Sequence, residues 1–158
     1  MPTRVVHAAP AISRWIGQNV QRPVVIGPDA ESEQWAAEVA LGAGCPYTVL
    51  QKVRHGDHEV ELSVPDMDRW QGHTPVLVDD IASTARTLIA AVAHLKHAAL
   101  AAPVCAVVHP IFAGDAFAAL QSAGVARIVG CNTIHHECVG IDITEALAKA
   151  IASMPNAG

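Results

Sequence analysis

The residues best suited to chemistry lie in the run Val76-Leu77-Val78-Asp79-Asp80-Ile81-Ala82-Ser83-Thr84-Ala85-Arg86-Thr87-Leu88. Two adjacent carboxylates follow an apolar stretch, and a small, hydroxyl-rich loop leads into a helical pattern. Such a loop can aim backbone N–H groups and Ser/Thr hydroxyls at a phosphate, helped by the positive end of the helix dipole. Adjacent carboxylates repel that anion. They can instead accept hydrogen bonds from sugar hydroxyls or help to hold a magnesium ion. A sugar phosphate would satisfy both halves of the run at once. Capping of the following helix by Asp79 and Asp80 would use the same residue types, so spacing alone leaves both readings open.

Three further groups carry charge in suggestive places. Asp29 follows the apolar run Val24-Val25-Ile26, where it could serve a metal or cap a helix. Lys52 and Arg54 are two apart on a strand-like segment, so they share a face; they are either a solvated pair or a clamp for a polyphosphate, where cations stabilise charge on leaving oxygens. Arg86 can offer a planar fork to a phosphate or point to solvent, and His109 ends an apolar run beside Pro110. His135-His136-Glu137-Cys138 invites a zinc reading, but no second cluster at ligand spacing completes four ligands. Trp15, Trp35 and Trp70 are expected to be packing residues.

The elements that position these groups alternate. Ala8 to Val20 reads as a helix with Ile12, Trp15, Ile16 and Val20 on one stripe. Val24 to Ile26 reads as a buried strand, Asp29 to Leu41 as a helix stopped by Gly42 and Gly44, and Pro46 to Leu50 as a second strand. Residues 51 to 64 alternate polar with apolar around His55-Gly56-Asp57-His58, which predicts a flexible hairpin arm. Strand Pro75 to Val78, a helix bearing Leu88, Ile89, Val92 and Leu95, strand Val104 to Val108, helix Asp115 to Ala123, strand Ala126 to Val129 and helix Thr144 to Ser153 complete the chain. This alternation predicts one α/β domain, a parallel sheet with helices on both faces. Ligands of such sheets sit beyond the carboxyl ends of the strands, where the charged residues above fall.

Composition narrows the function classes. The 158 residues suffice for one core, and 51% hydrophobic with 16% charged content argues against disorder. A net charge of −5 argues against broad nucleic-acid binding. No apolar run is long enough for a membrane span, and the N-terminus lacks the pattern of a signal peptide. Four scattered cysteines fit reduced thiols in a cytoplasmic protein.

Residues 76 to 88 also resemble the phosphoribosyl-pyrophosphate signature of type I phosphoribosyltransferases, with Ala85 where that family usually has Gly. The resemblance narrows to ribose-phosphate diphosphokinases through Val24-Val25-Ile26-Gly27-Pro28-Asp29-Ala30, Lys52-x-Arg54, His109-Pro110-Ile111-Phe112-Ala113-Gly114 and Cys131-Asn132-Thr133-Ile134, which occur in family order. It implies a phosphoribosyltransferase-like fold over residues 1–158 and transfer of diphosphate from ATP to ribose 5-phosphate, giving phosphoribosyl pyrophosphate, with magnesium.

By the same resemblance, Asp79 and Asp80 hold ribose hydroxyls while Ala82, Ser83, Thr84, Ala85, Arg86 and Thr87 cradle the 5-phosphate. Asp29 and Ala30 meet the diphosphate, with Asp29 on the metal, and Lys52 and Arg54 stabilise the transferred group. Glu31 and Ser32 stand where the family usually has two glycines. Family members are about twice as long, with a first domain that supplies most of the ATP site. The chain is therefore expected to be a second domain, cut or naturally short, with an incomplete ATP site, and a homo-oligomer is expected. Two alternatives remain: a short transferase consuming phosphoribosyl pyrophosphate in nucleotide salvage, and a non-catalytic regulatory homologue that binds a sugar phosphate.

Overall fold

A computed structural model describes residues 3–55, 59–63 and 67–154. In chain order the elements are α1 (Ala9–Asn19), β1 (Pro23–Gly27), α2 (Glu33–Ala43), β2 (Tyr47–Val49), β3 (Gln51–His55), β4 (Glu59–Ser63), β5 (Thr74–Ala82), α3 (Arg86–His97), β6 (Val104–Pro110), α4 (Ala116–Ser122), β7 (Arg127–Cys131), β8 (Val139–Ile141) and α5 (Thr144–Ala152). Short 3-10 turns at Ala30–Ser32 and Met67–Trp70 precede α2 and β5. Six strands form one sheet in the order β2-β1-β5-β6-β7-β8. All neighbours in it are parallel. The predicted α/β class and elements are thus present.

Both faces of the sheet are covered, which is why its central strands are apolar without alternation. Val25, Val76, Val78, Ala106 and Val129 pack with Ile12, Trp15 and Ile16 of α1 and Ala36, Val39 and Ala40 of α2. Val24, Ile26, Leu77, Cys105 and Val107 turn the other way, against Leu88, Val92 and Leu95 of α3 and Leu120 of α4. The α5 helix buries none of its residues.

Three features were not anticipated. Strand β8 escapes notice because it has three residues, one of them Gly140, and joins β7 across a register shift at Gly130/Cys131. The segment expected to begin a helix at Asp29 makes one 3-10 turn first, and α2 starts at Glu33. Strand β5 also runs past its buried stretch, which ends at Val78, and stays paired with β6 through Ala82.

The hairpin of residues 51 to 64 is present as the antiparallel pair β3–β4, with Lys52 opposite Leu62 and Arg54 opposite Val60. The expected tip, residues 56–58, and the exit, residues 64–66, lie outside the described residues.

The helices α1 and α2 cross closely at Gly42. Ser13, 3% exposed, donates its hydroxyl to Ala9 O at 2.7 Å and lies 2.8 Å from Val39 O. A Cβ at Gly42 would come within 2.6 Å of Ser13 Oγ and 2.9 Å of Ser13 Cβ. Gly42→Ala should therefore lower stability by about 1–3 kcal/mol despite alanine's better helix propensity. Urea denaturation measures the sign, and a stabilised variant would show that the helices separate freely.

Candidate functional site

The strand order fixes where a ligand can enter. From β1 the chain moves outward to β2, then returns to place β5 on the opposite side of β1. The loops after β1 and β5 consequently diverge, and a crevice opens at the carboxyl ends of these two neighbours. That crevice is a cavity of about 390 Å³ lined by Asp29, Glu31, Ser32, Trp35, Asp79 and Asp80.

Asp29 arrives from β1 through a tight turn. Its Oδ1 accepts the Ser32 amide at 3.0 Å, and the Ser32 hydroxyl donates to Asp29 O at 2.6 Å. The fold-back requires Gly27, because a Cβ there would meet Ser32 Oγ at 2.5 Å. Asp29 therefore caps the 3-10 turn and also lines the cavity. Ala30, the first residue of the turn, is exposed and does not line the cavity.

Asp79 and Asp80 cap nothing. The α3 helix starts at Arg86 with Ala85 at its N-cap and no side-chain cap. Helix capping by the two acids is therefore excluded by the continuation of β5. Asp79 is half-buried, and burial raises its carboxyl from the ordinary 3.8 to about 6. The charge of Asp80 adds to the rise, the Asp80 amide works against it, and Asp29 contributes a smaller repulsion. Every ionisable group among the described residues lining the cavity is a carboxylate.

Residues 82–87 form the turn between Asp80 and α3. Ala82 and Ala85 are buried, Ser83 is half-buried, and Thr84, Arg86 and Thr87 are exposed. Ala85 takes the left-handed conformation, φ 55°, which an alanine enters at a cost of roughly 1 kcal/mol. The first-turn amides of α3 are left for water or a ligand. The turn lies outside the cavity wall, joined to it through β5. Lys52 and Arg54 lie on β3, but their side chains are outside the described residues.

Glu31 and Trp35 join the site although the sequence marked Glu31 only as a departure from a glycine and Trp35 only as a packing residue. Trp35 also packs partly against the α1/α2 core. The signal for both is positional: each falls within six residues of Asp29, in the turn and first helical turn after β1. Trp15 and Trp70 are buried, as expected. His109 donates its Nδ1 proton to Thr133 Oγ1 at 3.0 Å, because the Thr133 hydroxyl is committed to Val108 O at 2.7 Å.

This arrangement places the protein in the class of α/β domains whose site lies at the topological switch point. The chain belongs to the phosphoribosyl transferase domain family, whose model matches residues 3–137. It is 34% identical over 152 residues to a ribose-phosphate pyrophosphokinase of Methanothermobacter thermautotrophicus, covering 96% of this chain and 52% of that protein. A ribose-phosphate pyrophosphokinase of Sulfolobus acidocaldarius is 31% identical over 94% of this chain and 52% of its own length. In fold the chain resembles the crystal structure of phosphoribosylpyrophosphate synthetase from Mycobacterium smegmatis, with a TM-score of 0.78 at 22% identity over 92% of this chain and 50% of that one. The chain thus spans about half the length of the relatives it matches. No helix among the described residues is long and apolar enough to cross a membrane.

Two outcomes follow from the site's energetics. Because the folded protein binds the Asp79 proton more tightly than the unfolded chain does, stability falls as pH rises from about 4 through about 6. Asp79→Asn should be more stable than wild type at pH 7.5 by on the order of 1–2 kcal/mol, an advantage that vanishes below about pH 4. Denaturation at several pH values tests this, and a pH-independent difference would contradict it. Ala85→Gly should raise stability by about 0.5–1 kcal/mol through relief of the positive φ, less the added unfolded-state entropy; thermal melts give the sign.

Proposed function

We propose that this chain is the sugar-phosphate-binding unit of a ribose-phosphate diphosphokinase. The reading is supported most by one juxtaposition: carboxylates from two neighbouring strands share a crevice, while an uncapped helix start follows on the same strand. Ribose 5-phosphate presents hydroxyls and a dianion in the same complementary way. Asp79 and Asp80 accept hydrogen bonds from ribose hydroxyls, and the amides and hydroxyls of 82–87 hold the 5-phosphate. The anomeric oxygen attacks the β-phosphorus of ATP, AMP leaves, and the hydroxyl proton passes to solvent. The protein's part is positioning and charge stabilisation. Lys52 and Arg54, carried on the hairpin, stabilise charge on the transferred group.

The donor set fits magnesium, a hard cation that takes oxygen ligands. Among the described residues no three His, Cys, Asp or Glu side chains converge closely enough to hold a metal alone. Magnesium, which ordinarily keeps several waters and binds through one or two carboxylates plus substrate phosphates, would need few ligands from this chain. Asp29, with Asp79 and Glu31 nearby, would hold it, and its positive charge would neutralise diphosphate oxygens beside these acids. The cytoplasm, where ribose 5-phosphate and ATP occur, is the proposed location. On this reading the nucleotide half of the site comes from a further domain or a different chain, and the protein assembles as a homo-oligomer.

Calorimetric titration tests the reading directly. The chain should bind ribose 5-phosphate, and Asp79→Asn or Asp80→Asn should weaken binding by roughly tenfold through loss of one hydroxyl acceptor. Supplied with ribose 5-phosphate, ATP and magnesium but no other protein, the 158-residue chain should show no steady turnover. Absence of ribose 5-phosphate binding would overturn the proposal. Nucleobase-dependent release of diphosphate from phosphoribosyl pyrophosphate would replace it with a salvage transferase.

A further inference from the structure

Phe112 is unusual for its residue type. It sits two residues beyond β6 with φ 36°, a left-handed conformation that a bulky side chain adopts only when its surroundings impose it. Those surroundings are specific. The ring is 8% exposed and packs 5.1 Å from Phe117 at 65° and 5.1 Å from His136 at 43°. Phe117 and His136 close the triangle at 4.7 Å, edge to face. His136 is itself held, since its Nδ1 accepts the Cys138 amide at 3.2 Å and lies 3.1 Å from Cys138 Sγ.

The backbone of Phe112 faces the candidate site. Its N–H donates to Ala82 O at 2.8 Å, and the Ala113 N–H donates to Ser83 O at 3.0 Å. Ala82 and Ser83 open the turn that reaches Ala85, the other strained alanine-for-glycine position in this region. Regular β5–β6 pairing ends at Ala82 and Pro110, so these two bonds extend the tie into the turn itself. A glycine at 112 could adopt the same φ without strain but would bring no ring to fix it. The aromatic triangle therefore converts an unfavourable backbone conformation into a single, defined direction for two N–H donors.

We propose that Phe112, braced by Phe117 and His136, is a positioning residue that holds the start of the 82–87 turn in its ligand-binding shape. This rests on the reading of that turn as a sugar-phosphate cradle. It also gives the His135-His136-Glu137-Cys138 segment a role without a metal: His136, fixed by Cys138, is the far brace.

Amide hydrogen exchange and ribose 5-phosphate titration on the 158-residue chain test this together. Phe112→Ala keeps the N–H but removes the ring. It should speed exchange at residues 83–87 by about tenfold relative to 76–78 and weaken ribose 5-phosphate binding by a similar factor. Leu95→Ala cuts the same core cluster in the last turns of α3, on a different helix from Phe117; it should lower the melting temperature while leaving both readouts at wild-type levels. His136→Ala should loosen the turn as Phe112→Ala does, and His136→Phe, which restores a ring, should recover it.

Unchanged exchange at 83–87 in Phe112→Ala, or an equal effect of Leu95→Ala, would overturn the proposal. Should Phe112→Ala not fold, the two His136 variants decide the matter by the same readouts. A wild-type chain that fails to bind ribose 5-phosphate refutes the proposed function instead, and the exchange comparison still decides whether Phe112 positions the turn.

Discussion

Mutual repulsion among carboxylates is the constraint around which this domain is arranged. Strands β1 and β5 are parallel neighbours; the turn after β1 brings Asp29 and Glu31, and the continuation of β5 brings Asp79 and Asp80, to one crevice. Burial and neighbouring negative charge leave Asp79 reluctant to ionise, at about 6. A protein selected for stability alone would place an apolar or amide side chain there, because a carboxylate that resists its charge works against the folded state at neutral pH. The rest of the domain makes that cost tolerable. A core with central strands of nearly zero exposure lies beneath the crevice, and α1 and α2 close one face while α3 and α4 close the other.

The same trade recurs in the backbone. Ala85 and Phe112 both take left-handed conformations on loops leaving adjacent strands, and hydrogen bonds from Phe112 and Ala113 to Ala82 and Ser83 tie those loops together. Strain of this kind persists where neighbouring structure over-determines it. Here it is opposed by an aromatic triangle on one loop and by the β5–β6 ladder on the other. Charge at the carboxyl ends of β1 and β5 and the strained Ala85 and Phe112 beyond β5 and β6 thus share one rim, while the other left-handed non-glycine residues, Arg22 and Ala99, precede β1 and β6.

Much of this was legible before any coordinates. Runs such as Val24-Val25-Ile26 and Val104 to Val108 are apolar on both faces, and only a sandwiched parallel strand accepts such a pattern over so few residues. The acids are legible as well: Asp79 directly follows the apolar run Val76-Leu77-Val78, and Asp29 comes after Gly27-Pro28 at the end of Val24-Val25-Ile26. What could not be read was local geometry. Whether Asp79 caps a helix or belongs to a strand depends on where β5 stops pairing, which β6 decides from outside the local sequence. Trp35 is a large apolar residue expected to pack, and its residue type could not show that it also walls a cavity. Strand β8 is short and glycine-containing, and its pairing depends on a register shift that no local pattern encodes.

Charge also sets what the proposed function would need beyond the described cavity wall. Diphosphate transfer spreads negative charge over several oxygens and needs cations aimed at them. The described cavity wall has carboxylates but no cation, so positive charge has to come from bound metal, from Lys52 and Arg54 on the hairpin, or from a second protein surface. The relatives, about twice as long, have residues to spare for such a surface. Within one sheet, the described residues place two acids towards the end of β5 and uncapped amides at the start of α3. On the proposed reading, these adjacent elements would fix a sugar phosphate and leave charge neutralisation to other groups.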